Sequence, residues 1–322
     1  MKWNTQMMIL LMAIGSIIVM SSNNWMSMWL GMEINMVSFV PILKMNNKES
    51  SSSTMIYFMA QSMGSSLFLY SLLSMWFYSP SDHSSYMMAL MSMMVKMGVP
   101  PMHMWTIIVM NNSSWKSCFM LMTLQKIAPM TVSSQLTMMT NKLYMMAAVA
   151  TIIGAIGGIN QTSIRKIMGY STASHMGWML VLTKNETWVI YLMIYTAMMA
   201  MMCYMMDSEN MFYLNQMNLT NKINKMAFTI NMLSMGGLPP MMGFLIKWMT
   251  IQTMINSNLT IIALTMTMTS LITLMFYINM ISPMMSLSKT NNKININNER
   301  DYSWMMIISV ATPITLTLNT FI

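Results

Sequence analysis

Long apolar stretches separated by short polar segments run through the whole chain. A membrane-spanning helix needs about 20 apolar residues. By that measure the sequence predicts eleven spans, which makes the expected fold class an all-α polytopic membrane protein. The spans are residues 3–20, 25–43, 54–78, 84–110, 115–138, 143–160, 166–183, 187–206, 225–256, 259–285 and 303–321.

The polar segments between these stretches are too short for a separate soluble domain. The two longest, 207–224 and 289–301, are predicted to be loops. The boundary between the fifth and sixth spans, near Asn141 and Lys142, has the weakest signal. We therefore expect one transmembrane domain over residues 1–322.

The composition supports a membrane location. The chain is 55% hydrophobic and 7% charged, and its mean hydropathy is +0.51, whereas soluble proteins carry roughly 25% charged residues. Its 57 methionines occur in every segment, which metal binding does not explain. A mitochondrial genome that reads an isoleucine codon as Met would give this pattern.

The loop charges predict the orientation of the bundle. Basic residues favour the side from which insertion occurs, which is the cytoplasm in a bacterium or the matrix in a mitochondrion. The side that holds the N-terminus carries eleven, and the opposite side carries two, Lys142 and Lys184. The eleven are Lys2, Lys44, Lys48, Lys116, Arg165, Lys166, Lys222, Lys225, Lys289, Lys293 and Arg300. We therefore expect the N-terminus on the basic side and the C-terminus on the opposite side, which in a mitochondrion are the matrix and the intermembrane space.

Two spans contain a Pro-Pro pair, at Pro100-Pro101 and Pro239-Pro240. Proline removes a backbone donor and clashes with the preceding turn, so both helices should be discontinuous. The surrounding sequences, residues 98–102 and 237–241, agree at four of five positions. They lie five spans apart and so cross in opposite directions, as in an inverted repeat. The repeats are predicted at about 1–138 and 143–285, followed by a C-terminal helix at about 303–321.

Four ionisable residues fall inside predicted spans: Glu33, Lys96, Lys126 and Lys247. Such groups are rare in membranes and are functional candidates by default. His103 and His175 also lie within spans. His103 has two open interpretations, bonding to carbonyls freed by the break or passing protons, and His175 could be a packing residue.

Binding motifs for cofactors are not evident in the sequence. Iron–sulfur clusters need about four Cys ligands, and Cys118 and Cys203 are far apart. The three histidines share no ligand spacing, and no GxGxxG follows a strand. We expect no cofactor, metal or nucleic acid to be bound by this chain itself.

Five segments together resemble the subunit 2 family of mitochondrial NADH dehydrogenase (complex I), in an invertebrate version. They are MWLGMEINMVSFVPIL, VKMGVPPMHMW, LMTLQKIAPM, GGINQTSIRKIMGYSTASHMGWML and MGGLPPMMGFLIKW, between residues 28 and 248. The family belongs to the antiporter-like subunits of the proton-pumping arm. Animal members lack three N-terminal helices of bacterial relatives, which is consistent with eleven spans here and with a flank that a partner covers.

The resemblance implies roles for the charged residues. Glu33 and Lys96 match an acid–lysine switch pair, Lys126 matches a relay lysine and Lys247 the terminal proton site. This chain has Thr106-Ile107-Ile108 where many members have a Pro-Glu pair, so no acid can admit protons there.

The resemblance also implies partners and a location. The expected partners are other membrane-arm subunits, including neighbouring antiporter-like ones, and lipids. The flavin mononucleotide, iron–sulfur clusters, NADH and ubiquinone would be bound by other subunits. The expected location is the mitochondrial inner membrane.

Other interpretations of the sequence stay open. The chain could be a stand-alone cation/proton antiporter, although one intramembrane Glu is few for a cation site, or a packing scaffold whose charges have no function. Glu33 and Lys96 could form a static pair, and Lys126 could extend toward an interface.

Overall fold

The computed structural model describes residues 2–44, 50–77, 83–136, 140–184, 186–216, 222–239 and 241–286, together with Tyr302 and Ser309. Over these residues the chain is all-α, as predicted, and the only β contact is an isolated bridge between Ser163 and Tyr213. The helices are α1 Lys2–Ser21, α2 Trp25–Lys44, α3 Ser50–Phe77, α4 His83–Met97, α5 Met104–Asn112, α6 Trp115–Met122, α7 Leu124–Gln135, α8 Thr140–Gly158, α9 Ile164–Val181, α10 Thr187–Ser208, α11 Lys222–Gly236, α12 Met242–Asn256 and α13 Thr260–Ser286.

Three helices are both long enough and apolar enough on their own to cross a membrane. They lie at Trp25–Lys44, Thr187–Ser208 and Thr260–Pro283, among the residues described. Most of the others align within a few residues with a predicted stretch. Three predicted stretches are each divided into two shorter helices. The predicted C-terminal helix at 303–321 lies outside the described residues, apart from Ser309.

Both helix breaks lie at the regions that the proline pairs predict, between α4 and α5 and between α11 and α12. Both helices end before the prolines, at a glycine in the left-handed conformation: Gly98 has φ 65° and Gly237 has φ 81°. The backbone N–H of the residue after each glycine donates to the carbonyl five residues earlier. These hydrogen bonds run from Val99 to Met94 (3.0 Å) and from Leu238 to Leu233 (3.3 Å). This is the turn in which glycine commonly ends a helix. Pro100, Pro101 and Pro239 lie in the connections that follow, and Pro240 is outside the described residues.

A third break was not predicted. The sequence predicts a continuous span at 115–138, but the structure separates α6 from α7 at Thr123, which has φ −120° and ψ −76°, and ends α7 at Gln135. The Thr123 hydroxyl donates to the Phe119 carbonyl at 2.7 Å, and this kind of back-bonding bends helices. Hydropathy averaged over the length of a span does not detect a break at a single residue.

Small residues let some helices approach to backbone contact. A side chain added at Gly154 of α8 would meet the backbone of α9 at Ser174 and Tyr170, 2.7 and 3.0 Å away. Gly158, one turn later, faces Phe276 of α13 instead. The GxxxG motif of this helix therefore serves close packing.

Two contacts show which helix ends and connections lie at the same end of the bundle. Arg165 donates to the Ser113 carbonyl, so the α5–α6 and α8–α9 connections lie at one end. At the other end, the Lys184 ammonium lies 5.3 Å from the Tyr144 ring centroid. Tyr144 lies near the start of α8, so this end of α8 and the α9–α10 connection lie at the same end of the bundle.

Candidate functional site

Glu33 and Lys96 form an ion pair inside the bundle. Lys96 lies in the last turn of α4, just before the break, and its Nζ is 3.8 Å from Oε1 of Glu33 on α2. The Lys96 side chain is 3% exposed and that of Glu33 is 22% exposed. Oε1 accepts no hydrogen bond within the described part of the chain, because 3.8 Å is too long for one. The two charges are therefore paired electrostatically, and the Lys96 ammonium also donates to Sδ of Met32 at 3.9 Å.

Glu33 also lines a cleft between α1 and α2. The cleft has a volume of about 400 Å³, and Glu33 provides its one ionisable group. Its other lining residues are Met8, Leu11, Leu30, Ile34, Val37, Ser38 and Pro41. The carboxylate can therefore be approached from the α1–α2 flank as well as from Lys96.

A chain of hydrogen bonds joins α2, α3 and α7. Gln125 donates to the Asn35 side-chain oxygen at 3.0 Å and accepts from the Tyr57 hydroxyl at 3.1 Å. Asn35 lies two residues after Glu33, and Gln125 immediately precedes Lys126. None of these three residues is predicted from the sequence to be functional. Two of them, Asn35 and Gln125, lie within the quoted motifs, whereas nothing in the sequence distinguishes Tyr57.

Lys126 lies near the start of α7, directly after the break at Thr123. It is 4% exposed, so its side chain is enclosed by the bundle rather than extended toward an interface. Its ammonium has no carboxylate partner among the described residues, and it lies 6.0 Å from the ring centroid of Tyr195 on α10. That distance is at the limit for a cation–π contact.

His175 occupies the space between α7, α10 and α12. Its Nδ1 lies 2.8 Å from the Tyr191 hydroxyl, and its ring centroid lies 5.1 Å from that of Tyr195. It is close enough to Lys126 and Lys247 to interact electrostatically with both. His175 thus lies beside two tyrosines and within electrostatic range of two lysines.

Lys247 reaches back across the second break. It lies in the second turn of α12, is 8% exposed, and its Nζ donates to the Gly236 carbonyl at the end of α11, 2.6 Å away. The carbonyl end of a helix carries a partial negative charge that attracts cations. A charged hydrogen bond therefore connects the two half-helices.

His103 lies within the first break. Its Nδ1 is 3.3 Å from the Pro101 carbonyl, which corresponds to the first of its two predicted interpretations. Two other side chains satisfy carbonyls at the end of α4. Trp105 donates to Val95, and Gln61 donates to Lys96, each at 3.0 Å.

The three buried lysines thus have three kinds of partner: a carboxylate for Lys96, an aromatic ring for Lys126 and a backbone carbonyl for Lys247. Neither the ring nor the carbonyl can take up a proton from its lysine. In the described ranges, no three His, Cys, Asp or Glu residues lie close enough together to hold a metal ion. The chemistry that this arrangement can support is proton transfer through the bundle.

A bundle of broken helices with buried lysines defines an antiporter-like membrane subunit. The chain belongs to the family described as NADH:quinone oxidoreductase/Mrp antiporter, whose transmembrane region matches residues 22–273.

Among its relatives are proteins called NADH-ubiquinone oxidoreductase chain 2. The one from Locusta migratoria is 38% identical over 290 residues, covering 85% of this chain and 84% of the relative. The one from Anopheles gambiae is 34% identical over 314 residues, covering 92% of each.

Solved structures show the same fold. A chain of respiratory complex I from Thermus thermophilus aligns with a TM-score of 0.81 at 18% identity, covering 97% of this chain and 77% of that one. A chain of the Mrp complex from Dietzia sp. aligns with a TM-score of 0.80 at 13% identity, covering 97% and 75%.

Proposed function

We propose that this chain is a proton-translocating core membrane subunit of NADH:ubiquinone oxidoreductase, respiratory complex I. The observation that carries the proposal is the set of three buried lysines, each held by a different partner within one bundle. Electron transport from NADH to ubiquinone takes place in other subunits, which hold the flavin and the iron–sulfur clusters. This chain provides the proton path of the translocase.

The proposed path follows the described contacts. Glu33 and Lys96 form the switch. A change in the distance between them alters the proton affinity of Lys96. Lys126 receives the proton as a relay, and it directly follows Gln125, whose side chain is hydrogen-bonded to Asn35 and Tyr57. His175 lies between Lys126 and the terminal site, Lys247. His103 holds the first break in shape through the Pro101 carbonyl.

The proposed setting is the mitochondrial inner membrane, with eleven spans, the N-terminus in the matrix and the C-terminus in the intermembrane space. The end-of-bundle contacts of Arg165 and Lys184 support the sorting of loops behind this topology. The matching turns at Gly98 and Gly237 support the inverted repeat. The proposed neighbours are other antiporter-like subunits of the membrane arm, and lipids.

A stand-alone cation/proton antiporter is the alternative function. It fits the fold that the chain shares with the Mrp complex. A cation site would need several converging carboxylates, however, and the predicted spans hold one, Glu33. Purification distinguishes the two functions. A complex I subunit copurifies with other subunits that show the absorbance of flavin and iron–sulfur clusters.

The test of the proposed function is proton pumping by the assembled complex carrying Lys247→Met or Lys247→Arg. Met is similar in length but cannot titrate, and Arg stays protonated in proteins. Both variants should lower the number of protons pumped per NADH oxidised. Normal pumping by the Arg variant would show that the site needs only a fixed positive charge, and the titration mechanism would then be wrong.

A further inference from the structure

Two side-chain atoms of α2 are shielded from solvent and have no hydrogen-bond partner among the described residues. One is the donor Nε1 of Trp29, and the other is the acceptor Oε1 of Glu33. A buried polar group without a partner costs free energy, so each one in a folded protein calls for an explanation. The two unsatisfied groups are complementary, since an indole N–H donates and a carboxylate oxygen accepts.

The two residues lie one turn apart on the same face of α2. Residues at positions i and i+4 of a helix are neighbours on its surface. A long side chain in a helix points back toward the N-terminus and covers the preceding turn. We therefore expect the Glu33 side chain to extend toward the level of Trp29, four residues earlier.

Other tryptophans of the bundle donate their N–H groups to backbone carbonyls. Trp105 donates to Val95 at 3.0 Å, and Trp115 donates to Met211 at 3.1 Å. Val95 lies in the last turn of α4, and Met211 lies in the connection after α10. Trp29 lies within α2 and has no acceptor of this kind in the part of the chain that the structure describes.

A Glu33 carboxylate that moves away from Lys96 needs another partner, because an unpaired charge is costly inside a membrane protein. The cleft beside Glu33 is lined by apolar side chains apart from Ser38. The Ser38 hydroxyl already donates to the Asn35 carbonyl at 3.0 Å. Among the described residues of α2, the buried donor that remains unused is Nε1 of Trp29.

We infer that the indole N–H of Trp29 is the second hydrogen-bond partner of Glu33 and holds the carboxylate when it separates from Lys96. The inference rests on the proposed function, because it names the residue that stabilises the separated state of the switch. An indole nitrogen is a donor only, so it can orient the carboxylate without exchanging a proton with it. Trp29 is therefore a positioning residue that acts through Glu33.

Maps of the assembled complex at rest and during NADH oxidation test the contact directly. Trp29 Nε1 is expected within about 3.2 Å of a Glu33 carboxylate oxygen in at least one map. In that map the Lys96 ammonium should be farther from Glu33 than the 3.8 Å found here. A Trp29 nitrogen beyond hydrogen-bond distance of Glu33 in both maps would overturn the inference. So would a contact made without any change at Lys96, since Trp29 would then be a permanent partner.

Pumping measurements on Trp29→Phe give an independent result, because this change keeps an aromatic ring and removes the N–H. A hydrogen bond to a charged group contributes about tenfold or more to an equilibrium constant, so the variant should pump about tenfold more slowly. Trp25→Phe is the matched control. The Trp25 ring, one turn earlier on α2, meets that of Phe68 edge to face with centroids 6.5 Å apart. Phenylalanine can keep this contact, so the control should pump normally, and an equal loss in both variants would contradict a role for the N–H.

The Glu33→Gln background separates a role through the carboxylate from a role in packing. Without the Glu33 charge, Trp29→Phe should slow pumping further by no more than about twofold, because the two residues act as one unit. The same loss in both backgrounds would show that Trp29 only packs. Normal pumping by Trp29→Phe, with loss in Glu33→Gln, would overturn this inference alone. Normal pumping by Glu33→Gln would overturn the switch of the proposed function, and the role of Trp29 with it.

Discussion

Glu33→Gln removes the negative charge beside Lys96 while it keeps the shape of the side chain. Two unit charges 3.8 Å apart attract each other by about 4 kcal/mol at the effective dielectric constant of 20 that suits protein sites. That is an upper bound, because Glu33 is 22% exposed. Even half of it corresponds to a factor of about 30 in an equilibrium constant, so we expect Glu33→Gln to lower the pumping rate at least about tenfold.

The decisive measurement is a double-mutant cycle. Glu33→Gln, Lys96→Met and the double variant are each assembled into the complex and reconstituted in vesicles. NADH oxidation and proton uptake are then measured together. Residues of one network do not add, so the double variant should pump no more than about twofold more slowly than the slower single variant.

The control for this cycle is Ser38→Ala, which alters the same cleft without changing a charge and should pump normally. If the two single losses multiply in the double variant, Glu33 and Lys96 do not work as a pair. A pair with only a static role would lower the stability of the complex in the single variants and leave the protons pumped per NADH unchanged.

Two further predictions concern the second break and the topology. A Cβ added at Gly237 would lie 2.8 Å from Cδ and Nζ of Lys247, and the left-handed conformation adds about 1–2 kcal/mol of strain, so Gly237→Ala should reduce pumping. Gly236→Ala is the control, because its nearest neighbour would be Leu274 at 3.6 Å, and normal pumping by both variants would contradict the role of this turn. An impermeant label should react with cysteines introduced at 291–298 only from the matrix side, and labelling from the intermembrane space would refute the topology.

Hydropathy predicted most helix positions within a few residues because the length of a spanning segment is set by the membrane. The interruptions were less predictable. The proline pairs indicated the region of two breaks, but the left-handed glycines fix where α4 and α11 end. The break at Thr123 depends on a hydroxyl that bonds to its own helix, and the same residue occurs within intact helices elsewhere in the chain.

One partner of the buried lysines was predictable from the sequence, and the other two were not. The pairing of Glu33 with Lys96 was expected from the family resemblance, and no spacing in the sequence requires it. The Tyr195 ring beside Lys126 and the Gly236 carbonyl beside Lys247 were not expected, because they depend on how α7, α10 and α12 pack. A backbone carbonyl also has no sequence signature.

The hydrogen bond from Lys247 to the end of α11 differs in kind from the ion pair of Lys96. A carboxylate can be neutralised by a proton, so chemistry alone can weaken its hold on a neighbouring lysine. A backbone carbonyl keeps its partial charge at every pH, so the carbonyl itself can weaken this bond only by moving away. Any control over the proton at Lys247 through this bond must therefore be mechanical, as a small hinge motion between the two half-helices, while control at Lys96 can be chemical.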